Sequence, residues 1–404
     1  MSEPAGSLFR ATFPKPMRRV DSIFNASFVL VGIVTTLLGP LVPLLTSRWA
    51  ITNLLAGYLF TAQFLGSLAG VSLSSLLTRR WGFRRLLVAG TVLMGMGVGT
   101  VWFAPWPESI ACVVSYGIGL GLVIPTSNIL IAQIHRSRPS AALNTLNFAW
   151  GLGAVASSLW VGMLTVVHGV GIGLVCLGLA IVASSFLIEL SLGPLELETP
   201  IEPPQPAPTE GRMRKNLFRA VAIGLMFYLY VGTENSVAGW VAAFAKQLTH
   251  RGHEPWVLAP GFFWAALLGG RATAPGILKR ISDRALLMIE LPVAVVGIAL
   301  LTVSHSIGIV FAATVIAGAG LATVFPGAIA MLTEHFGKAA SQAGGFMFGL
   351  AALGGATLPW GVGYLTTRTG DFRAGLAIPL AGALVMWVVF ILMGAALPAR
   401  VVGD

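Results

Sequence analysis

An acidic residue and an amide lie together inside a long apolar stretch of the sequence. Glu234 and Asn235 belong to the segment YVGTENSVAGW, which runs from Tyr230 to Trp240. A carboxylate in such a stretch is costly unless it faces water, a partner group or its own proton, so a functional site is the default interpretation. Tyr230 and Glu234 share one helical face, where the phenol can donate a hydrogen bond to the carboxylate. The pattern predicts contact with a polar solute or a proton, and a carboxylate packed between helices is the alternative.

Other polar and aromatic side chains in apolar stretches could line the same site. Asn144 and Asn147 form an i, i+3 pair on one helical face, and their amides both donate and accept hydrogen bonds, which suits hydroxyl groups but also bonds helices together. Gln63 and Asn128 carry weaker versions of the same argument. Three tryptophans away from the usual interfacial belt could cover an apolar ring face, with simple packing as the alternative for each. They are Trp150, Trp264 and Trp360.

One arginine also falls inside an apolar stretch. At about 1.5 Å per residue, Arg271 is placed roughly 12 to 14 Å from the end of its span, and Glu290 lies at a comparable depth in the next span. We therefore expect either a structural ion pair between Arg271 and Glu290 or a ligand contact of Arg271, with neither preferred. Glu234 lies roughly 10 Å away in depth, so a direct pair of Glu234 with Arg271 would need a favourable tilt.

The composition around these residues is that of a membrane protein. Of the 404 residues, 56% are hydrophobic and 10% are charged, whereas soluble proteins carry about 25% charged residues. Stretches of about 20 apolar residues, each able to cross a hydrocarbon layer of roughly 30 Å, recur along the chain. We predict an all-α membrane protein with twelve transmembrane helices. The helices begin near Val20, Asn53, Leu86, Ser109, Ala141, Val170, Leu217, Trp256, Leu286, Ile307, Ala340 and Arg373.

Several other classes of protein fit the sequence poorly. The net charge is +10, but the basic residues form short clusters between apolar spans, which indicates orientation in a bilayer rather than binding to nucleic acid. Both cysteines lie in apolar segments, which argues against a protein held together by disulfides. The sequence has no phosphate-cradling Gly-Lys-Ser loop, no His/Cys metal cluster and no nucleophile elbow. We therefore predict that the protein is not an enzyme and uses no metal and no cofactor.

A segment rich in proline and glutamate separates two sets of six spans. It includes TPIEPPQPAPTEGRMRK and has almost no apolar content, which predicts a flexible, solvated linker. The predicted organisation is an N-terminal half at 1–192, a linker at 193–215 and a C-terminal half at 216–404. Nineteen basic residues precede the first span or follow even-numbered spans, and five lie on the other side. The positive-inside rule then places both termini and the linker in the cytoplasm.

The two halves are related by a shift of about 200 residues. GLGLVIPTSNIL matches GAGLATVFPGAIAML, with Pro125 aligned to Pro326, and Gly153 aligns with Gly354 at the same offset of 201. Because six is an even number, both copies insert in the same direction and form parallel six-helix repeats.

These spans, together with a basic turn after the second, resemble the major facilitator superfamily. The turn SLLTRRWGFRRLL is similar to that superfamily's signature, Gly-x-x-x-Asp-Arg-x-Gly-x-Arg-Arg. Ser75 stands where Gly is usual and Arg79 where Asp is usual, so this chain lacks the acid to which a gating salt bridge is normally ascribed. The resemblance implies gating or structural roles for the residues that fit the signature. They are Arg80, Gly82, Arg84 and Arg85.

Three segments are similar, within that superfamily, to the fucose/glucose/galactose proton-symporter group. They are YVGTENSVAGW, GFFWAALLGGR and the stretch 346–380. This resemblance implies monosaccharide uptake across the inner (plasma) membrane, and Glu234, the carboxylate placed deepest in a span, is the predicted proton-coupling residue. We expect a monomer whose partners are the solute, protons and the lipid bilayer. The alternative is a proton-driven exporter of drugs or other amphipathic compounds, with the same acid in a mostly aromatic cavity.

Overall fold

The computed structural model describes residues 15–192, 213–249, 255–337 and 340–395, and these ranges are helical apart from short connections. The helices of the first half are α1 (Lys15–Thr36), α2 (Leu38–Trp49), α3 (Asn53–Thr100), α4 (Ser109–Ile134), α5 (Pro139–Val166) and α6 (Val170–Leu192). Those of the second half are α7 (Met213–Gln247), α8 (Ala259–Ile277), α9 (Asp283–Thr302), α10 (Ile307–Gly320), α11 (Val324–Phe336), α12 (Ala340–Thr369) and α13 (Phe372–Ala395).

These helices make the twelve predicted spans, although their boundaries differ from the spans at three places. Helices α1 and α2 form span one and are separated at Leu37, where Pro40 removes a backbone donor. Helix α3 covers spans two and three, and it turns between them at Gly82, whose φ of 76° favours glycine. Helices α10 and α11 form span ten and are separated at 321–323. The fold class predicted from the sequence is confirmed.

Helices α7 and α8 differ in hydropathy from the other spans. Nine stretches of the described chain are long and apolar enough to cross a membrane, and the one at Asn53–Thr100 contains two spans. Helices α7 and α8 are not among the nine. These two helices carry Glu234 and Arg271, whereas the buried Glu290 lies in α9, which is one of the nine.

Equivalent glycines of the two halves make equivalent close contacts between helices. A Cβ atom on Gly153 would overlap the carbonyl of Val29, and one on Gly354 would overlap the carbonyl of Tyr228. In both cases the fifth helix of a half packs directly on the backbone of the first, as small residues permit in membrane bundles. This agreement supports the repeat found in the sequence.

The predicted linker lies outside the described residues, except that 213–215 belong to the start of α7. The domain boundaries at 192 and 216, and the placement of the termini, stay predictions. The end of the bundle that carries the turn from Arg79 to Arg85 is called the basic end, and the other is called the opposite end.

Hydrogen bonds join the two halves at the opposite end of the bundle. The Leu54 amide donates to Thr367 Oγ1 at 2.8 Å, and Lys246 Nζ donates to both the Pro43 carbonyl and Ser47 Oγ at 2.9 Å. Lys246 also lies 5.2 Å from the ring centroid of Trp256. A further hydrogen bond between the halves runs from Thr61 to the Ala356 carbonyl. The halves are thus closed together at the opposite end.

Replacing Lys246 with Met should weaken this closure. The substitution keeps an unbranched apolar stem but removes two hydrogen bonds from a charged donor, so a state open at this end should gain population by about tenfold or more. The distance between spin labels at Thr52 and Arg368, in a background free of native cysteines, measures that population. Lys279→Met, at the exposed basic end, is the control. An unchanged distance distribution in Lys246→Met would show that Lys246 does not hold the halves together.

Candidate functional site

Glu234 and Tyr230 lie one turn apart near the middle of α7. The Glu234 residue is 8% exposed and Tyr230 is 1% exposed. The phenol of Tyr230 donates to Glu234 Oε1 at 2.5 Å, as the helical spacing led us to expect. The carboxylate therefore has a partner in its own helix and is shielded from solvent.

Arg271 on α8 completes a cluster with these two residues. Its Nη2 donates to the Tyr230 hydroxyl at 3.1 Å and lies 3.8 Å from Glu234 Oε1. Its Nε donates to the carbonyl of Ala322, between α10 and α11, at 3.0 Å. The Arg271 side chain is 29% exposed, against 10% for Glu234, so the guanidinium is the accessible member of the cluster.

Arg271 and Glu290 do not form the ion pair that was one of the two alternatives for Arg271. Glu290 Oε2 instead accepts from the Thr323 amide at 3.1 Å and from the Thr323 hydroxyl, while Arg271 turns toward Glu234. The reason is side-chain direction. Side chains tilt toward the N-terminus of their own helix, and α7 and α8 are antiparallel, so the two side chains point toward each other and close the gap in depth.

A small cavity lies at the boundary of the two halves, and its lining includes Asn235, the residue that follows Glu234 in α7. Its volume is about 10 Å³, room for roughly one water molecule. Polar lining comes from Thr35, Thr36 and Gln63 of the first half and Asn235 of the second, and Trp264 closes one side. The cavity lies where span one is broken. Its lining brings together three of the predicted site residues, which are Gln63, Asn235 and Trp264.

The amide of Gln63 and the indole of Trp150 bind the broken part of span one. Gln63 Nε2 donates to the Thr35 carbonyl at 3.0 Å, and Gln63 Oε1 accepts from Tyr116 at 2.9 Å. Trp150 Nε1 donates to Thr35 Oγ1 at 3.3 Å, and the Trp150 ring meets Trp264 edge-on with centroids 5.7 Å apart. These two side chains position the cavity wall in this conformation.

Asn235 is the amide with unused capacity at the cavity. Its Nδ2 donates to the Val231 carbonyl of its own helix at 2.9 Å. Its Oδ1 has no hydrogen-bond partner in the described part of the chain, and the residue lines the cavity. Asn235 can therefore accept a hydrogen bond from a solute hydroxyl.

Four predicted site residues lie away from both the cavity lining and the contacts of Glu234 and Trp150 described above. Asn144 and Asn147 are exposed on α5, and Asn147 Nδ2 donates to the Leu143 carbonyl. Asn128 Nδ2 donates in the same way to Ile124. Trp360 stacks on Tyr364 with centroids 5.6 Å apart. Roles for these four residues stay predictions.

The residues of the basic turn lie far along α3 from the cavity. Gly82 forms the bend between spans two and three, and Arg84 lies 3.6 Å from Glu189 of α6, with both side chains nearly half exposed. Arg80 and Arg85 are exposed. The turn thus contributes a bend and one exposed ion pair, and its role in gating stays a prediction.

Sequence reasoning missed Thr35, Thr323 and Lys246. Thr35 and Thr323 lie at or beside the breaks in spans one and ten, and the nearby prolines Pro40 and Pro326 were the available signal, because proline withdraws a donor from a helix. Lys246 could have been found as a lysine at the end of the span that carries Glu234, but its partners on α2 are distant in sequence.

Twelve spans in two parallel six-helix repeats, with a small cavity where the repeats meet, are the architecture of a multi-pass membrane transporter. The chain belongs to the Major Facilitator Superfamily, whose family model matches residues 24–304, more than half of the chain. The resemblance seen in the sequence is therefore confirmed.

One curated relative is an uncharacterized MFS-type transporter of Yersinia pestis, which is 26% identical over 145 residues. That match covers 34% of this chain and 38% of the relative.

Solved structures of several transporters share the fold. A bacterial homolog of the human lysosomal transporter Spinster has a TM-score of 0.70 at 13% identity, covering 95% of this chain and 96% of its own. The nucleoside transporter NupG has a TM-score of 0.72 at 12% identity, with coverages of 94% and 99%. The fucose:proton symporter of E. coli has a TM-score of 0.61 at 14% identity, with coverages of 92% and 98%. At these identities the likeness concerns the fold.

Proposed function

We propose that the protein carries a small polar solute, a monosaccharide, across the plasma membrane by alternating access and couples that movement to protons. The observation that supports this proposal is the buried carboxylate of Glu234 in the middle of α7, one residue from Asn235 at the cavity between the halves. An ionisable group in that position has a functional role as its default interpretation.

The cavity chemistry favours a neutral solute rich in hydroxyl groups. Asn235 presents an amide oxygen that has no partner among the described residues, and Trp264 offers an aromatic face, while Gln63 and Thr35 add polar lining that is already bonded to protein groups. Amides donate to and accept from hydroxyls, and an aromatic face covers the C–H face of a sugar ring. In the described conformation the cavity is nearly closed, so the solute needs a state in which the halves separate further.

Glu234 is the proposed proton site because its charge can change while its neighbours keep theirs. When Glu234 is ionised, Arg271 at 3.8 Å compensates its charge. When Glu234 takes up a proton, Tyr230 and Arg271 keep the site polar. Alternating exposure of the carboxylate to the two sides then moves one proton with each solute, and we propose that the solute and the proton enter together.

The same proposal gives the halves an orientation. With the basic end in the cytoplasm, the opposite end, closed by Lys246, is the outer gate. A monomer is sufficient for this mechanism, because the halves of one chain enclose the cavity.

A second candidate is proton-driven export of amphipathic compounds. An aromatic cluster next to Glu234 favours it, since the Phe325 ring centroid lies 5.5 Å from those of both Tyr230 and Phe227, and Phe348 lies 5.6 Å from Phe227. Such rings suit an apolar or cationic compound better than a sugar.

A panel of solutes tested for thermal stabilisation separates the two candidates. A ligand that binds only the folded carrier adds about 2.7 kcal/mol of stability at 100 times its Kd. We expect one or more monosaccharides to raise the melting temperature of the purified protein and to lose that effect in Asn235→Leu. Stabilisation by amphipathic cations, with no response to any monosaccharide, would favour the exporter and contradict the proposal.

A further inference from the structure

Span ten is broken beside Arg271 and Glu290, and its sequence explains why one backbone carbonyl at the break lacks a helical donor. Helix α10 ends at Gly320 and α11 begins at Val324. In a continuous helix the amide of residue 326 would donate to the carbonyl of Ala322, but Pro326 has no N–H. The Ala322 carbonyl is therefore left without its helical donor.

Two ionisable side chains satisfy the backbone groups that the break frees. Arg271 Nε donates to the Ala322 carbonyl at 3.0 Å, in place of the missing amide of Pro326. On the other side of the break, the Thr323 amide donates to Glu290 Oε2 at 3.1 Å. Irregular backbone at membrane depth persists only where such groups are satisfied, so Arg271 and Glu290 stabilise the broken form of span ten.

The first half provides an internal comparison for this break. Pro125 is equivalent to Pro326 in the repeat, yet α4 runs continuously from Ser109 to Ile134. A proline at this position is therefore compatible with a continuous helix, and the break in span ten depends on something that the second half alone contains.

The difference lies at the positions of Arg271 and Glu290. Gly70 packs on Gly121 of α4, and Gly270 packs on Ala322 of span ten, so these two glycines are equivalent in the repeat. The residues that follow them, Val71 and Arg271, are then equivalent as well. The alignment of Leu86 with Leu286 makes Gly90 the equivalent of Glu290. The first half has no ionisable side chain at either position.

We propose that Arg271 is a positioning residue that couples the loading of Glu234 to the bend of span ten. One guanidinium holds the Ala322 carbonyl through Nε and faces Tyr230 and Glu234 through Nη2. Loading here means that Glu234 takes up a proton or binds the solute, and in this respect the inference rests on the proposed function. Once Glu234 is neutral or occupied, the guanidinium loses its ionic partner and releases the carbonyl more often.

The aromatic contact of α11 with α7 converts this release into movement at the site. Phe325, the second residue of α11, packs on both Tyr230 and Phe227. A change of angle between α10 and α11 therefore shifts an aromatic side chain against the helix that carries Glu234. Loading of the acid and rearrangement of span ten are linked through two separate contacts.

Hydrogen exchange of the backbone amides at 319–332, in purified protein held in lipid nanodiscs, tests the coupling. In Arg271→Met, the amides around the break should exchange about tenfold faster, because the Ala322 carbonyl loses its donor. Pro326→Ala returns a backbone N–H to that carbonyl, so Arg271→Met combined with Pro326→Ala should exchange close to the parent rate. Glu234→Gln should give an intermediate increase, and Lys279→Met should give none.

Arg271→Lys keeps a charge but has no planar fork to hold two partners, and it provides a second test if Arg271→Met does not fold. Unchanged exchange at the break in both folded Arg271 variants, or no recovery on adding Pro326→Ala, would overturn the proposal. The measurement needs no solute, so the proposed coupling through Arg271 and the proposed sugar transport can fail separately. If sugars stabilise the protein but Glu234→Gln leaves the break unaffected, the coupling is wrong; if Glu234→Gln loosens the break while no sugar binds, the proposed solute is wrong.

Discussion

Replacing Glu234 with Gln should abolish accumulation of the solute against its gradient and leave exchange of solute across the membrane intact. Gln keeps the size of the side chain and can still accept the hydrogen bond from Tyr230, but it does not change charge. A pH difference of about one unit supports about tenfold accumulation when one proton accompanies each solute, and this accumulation should fall to none in the variant. Uptake of labelled solute into proteoliposomes, with and without the pH difference, measures both activities.

The control for this experiment is Glu108→Gln, which changes an exposed acid in a loop at the opposite end and should accumulate solute like the parent. If Glu234→Gln accumulates solute as well as the parent does, Glu234 is not the coupling residue. If the folded variant loses both accumulation and exchange, the carboxylate serves chiefly in binding.

The second large effect is expected in stability, from the charge pair that the structure reveals. Arg271→Met leaves the buried Glu234 carboxylate without its compensating charge, and removing one partner of a buried pair costs about 3–5 kcal/mol. Adding Glu234→Gln removes the orphaned charge as well, so the double variant should recover much of the loss. Thermal denaturation of the purified variants, taken as a double-mutant cycle, gives the coupling energy between the two positions.

The matched cycle uses Glu290→Gln with Arg271→Met. Glu290 is bonded to Thr323 rather than to Arg271 and meets Arg271 only through the broken segment, so the coupling energy of this pair should be smaller than that of Glu234 with Arg271. Strong coupling of Arg271 with Glu290, together with none between Arg271 and Glu234, would contradict the geometry of the cluster.

Local spacing was enough to predict the contact within α7. Tyr230 and Glu234 are four residues apart in one helix, and that separation brings side chains together whatever surrounds them. The number of spans and the repeat were equally accessible, because hydropathy and internal similarity depend on the chain alone.

Contacts between helices were predicted less well, and Arg271 shows why. Counting the rise along each helix gave Arg271 the depth of Glu290 but ignored the direction of the side chains, which decides the partner of a long residue. Pro125 and Pro326 show the same limit. Both prolines withdraw a donor from a helix, but only the second lies beside a broken span, since Arg271 and Glu290 reach that site from other helices.

The amides illustrate a third limit. Gln63 and Asn235 reach the cavity, whereas Asn144 and Asn147 lie exposed elsewhere on α5. All four occur in apolar stretches, and an isolated stretch of sequence does not reveal which face of its helix meets the other half of the protein.

The most direct test of solute and proton movement together is made in proteoliposomes that contain the purified protein and a trapped pH-sensitive dye. Addition of a monosaccharide that stabilises the protein should acidify the interior in the absence of any imposed gradient, and Glu234→Gln should abolish the acidification while labelled sugar still exchanges. Sugar that enters the vesicles of the parent protein with no movement of protons would contradict the coupling. Proton movement driven by amphipathic cations, and by no sugar, would contradict the account as a whole.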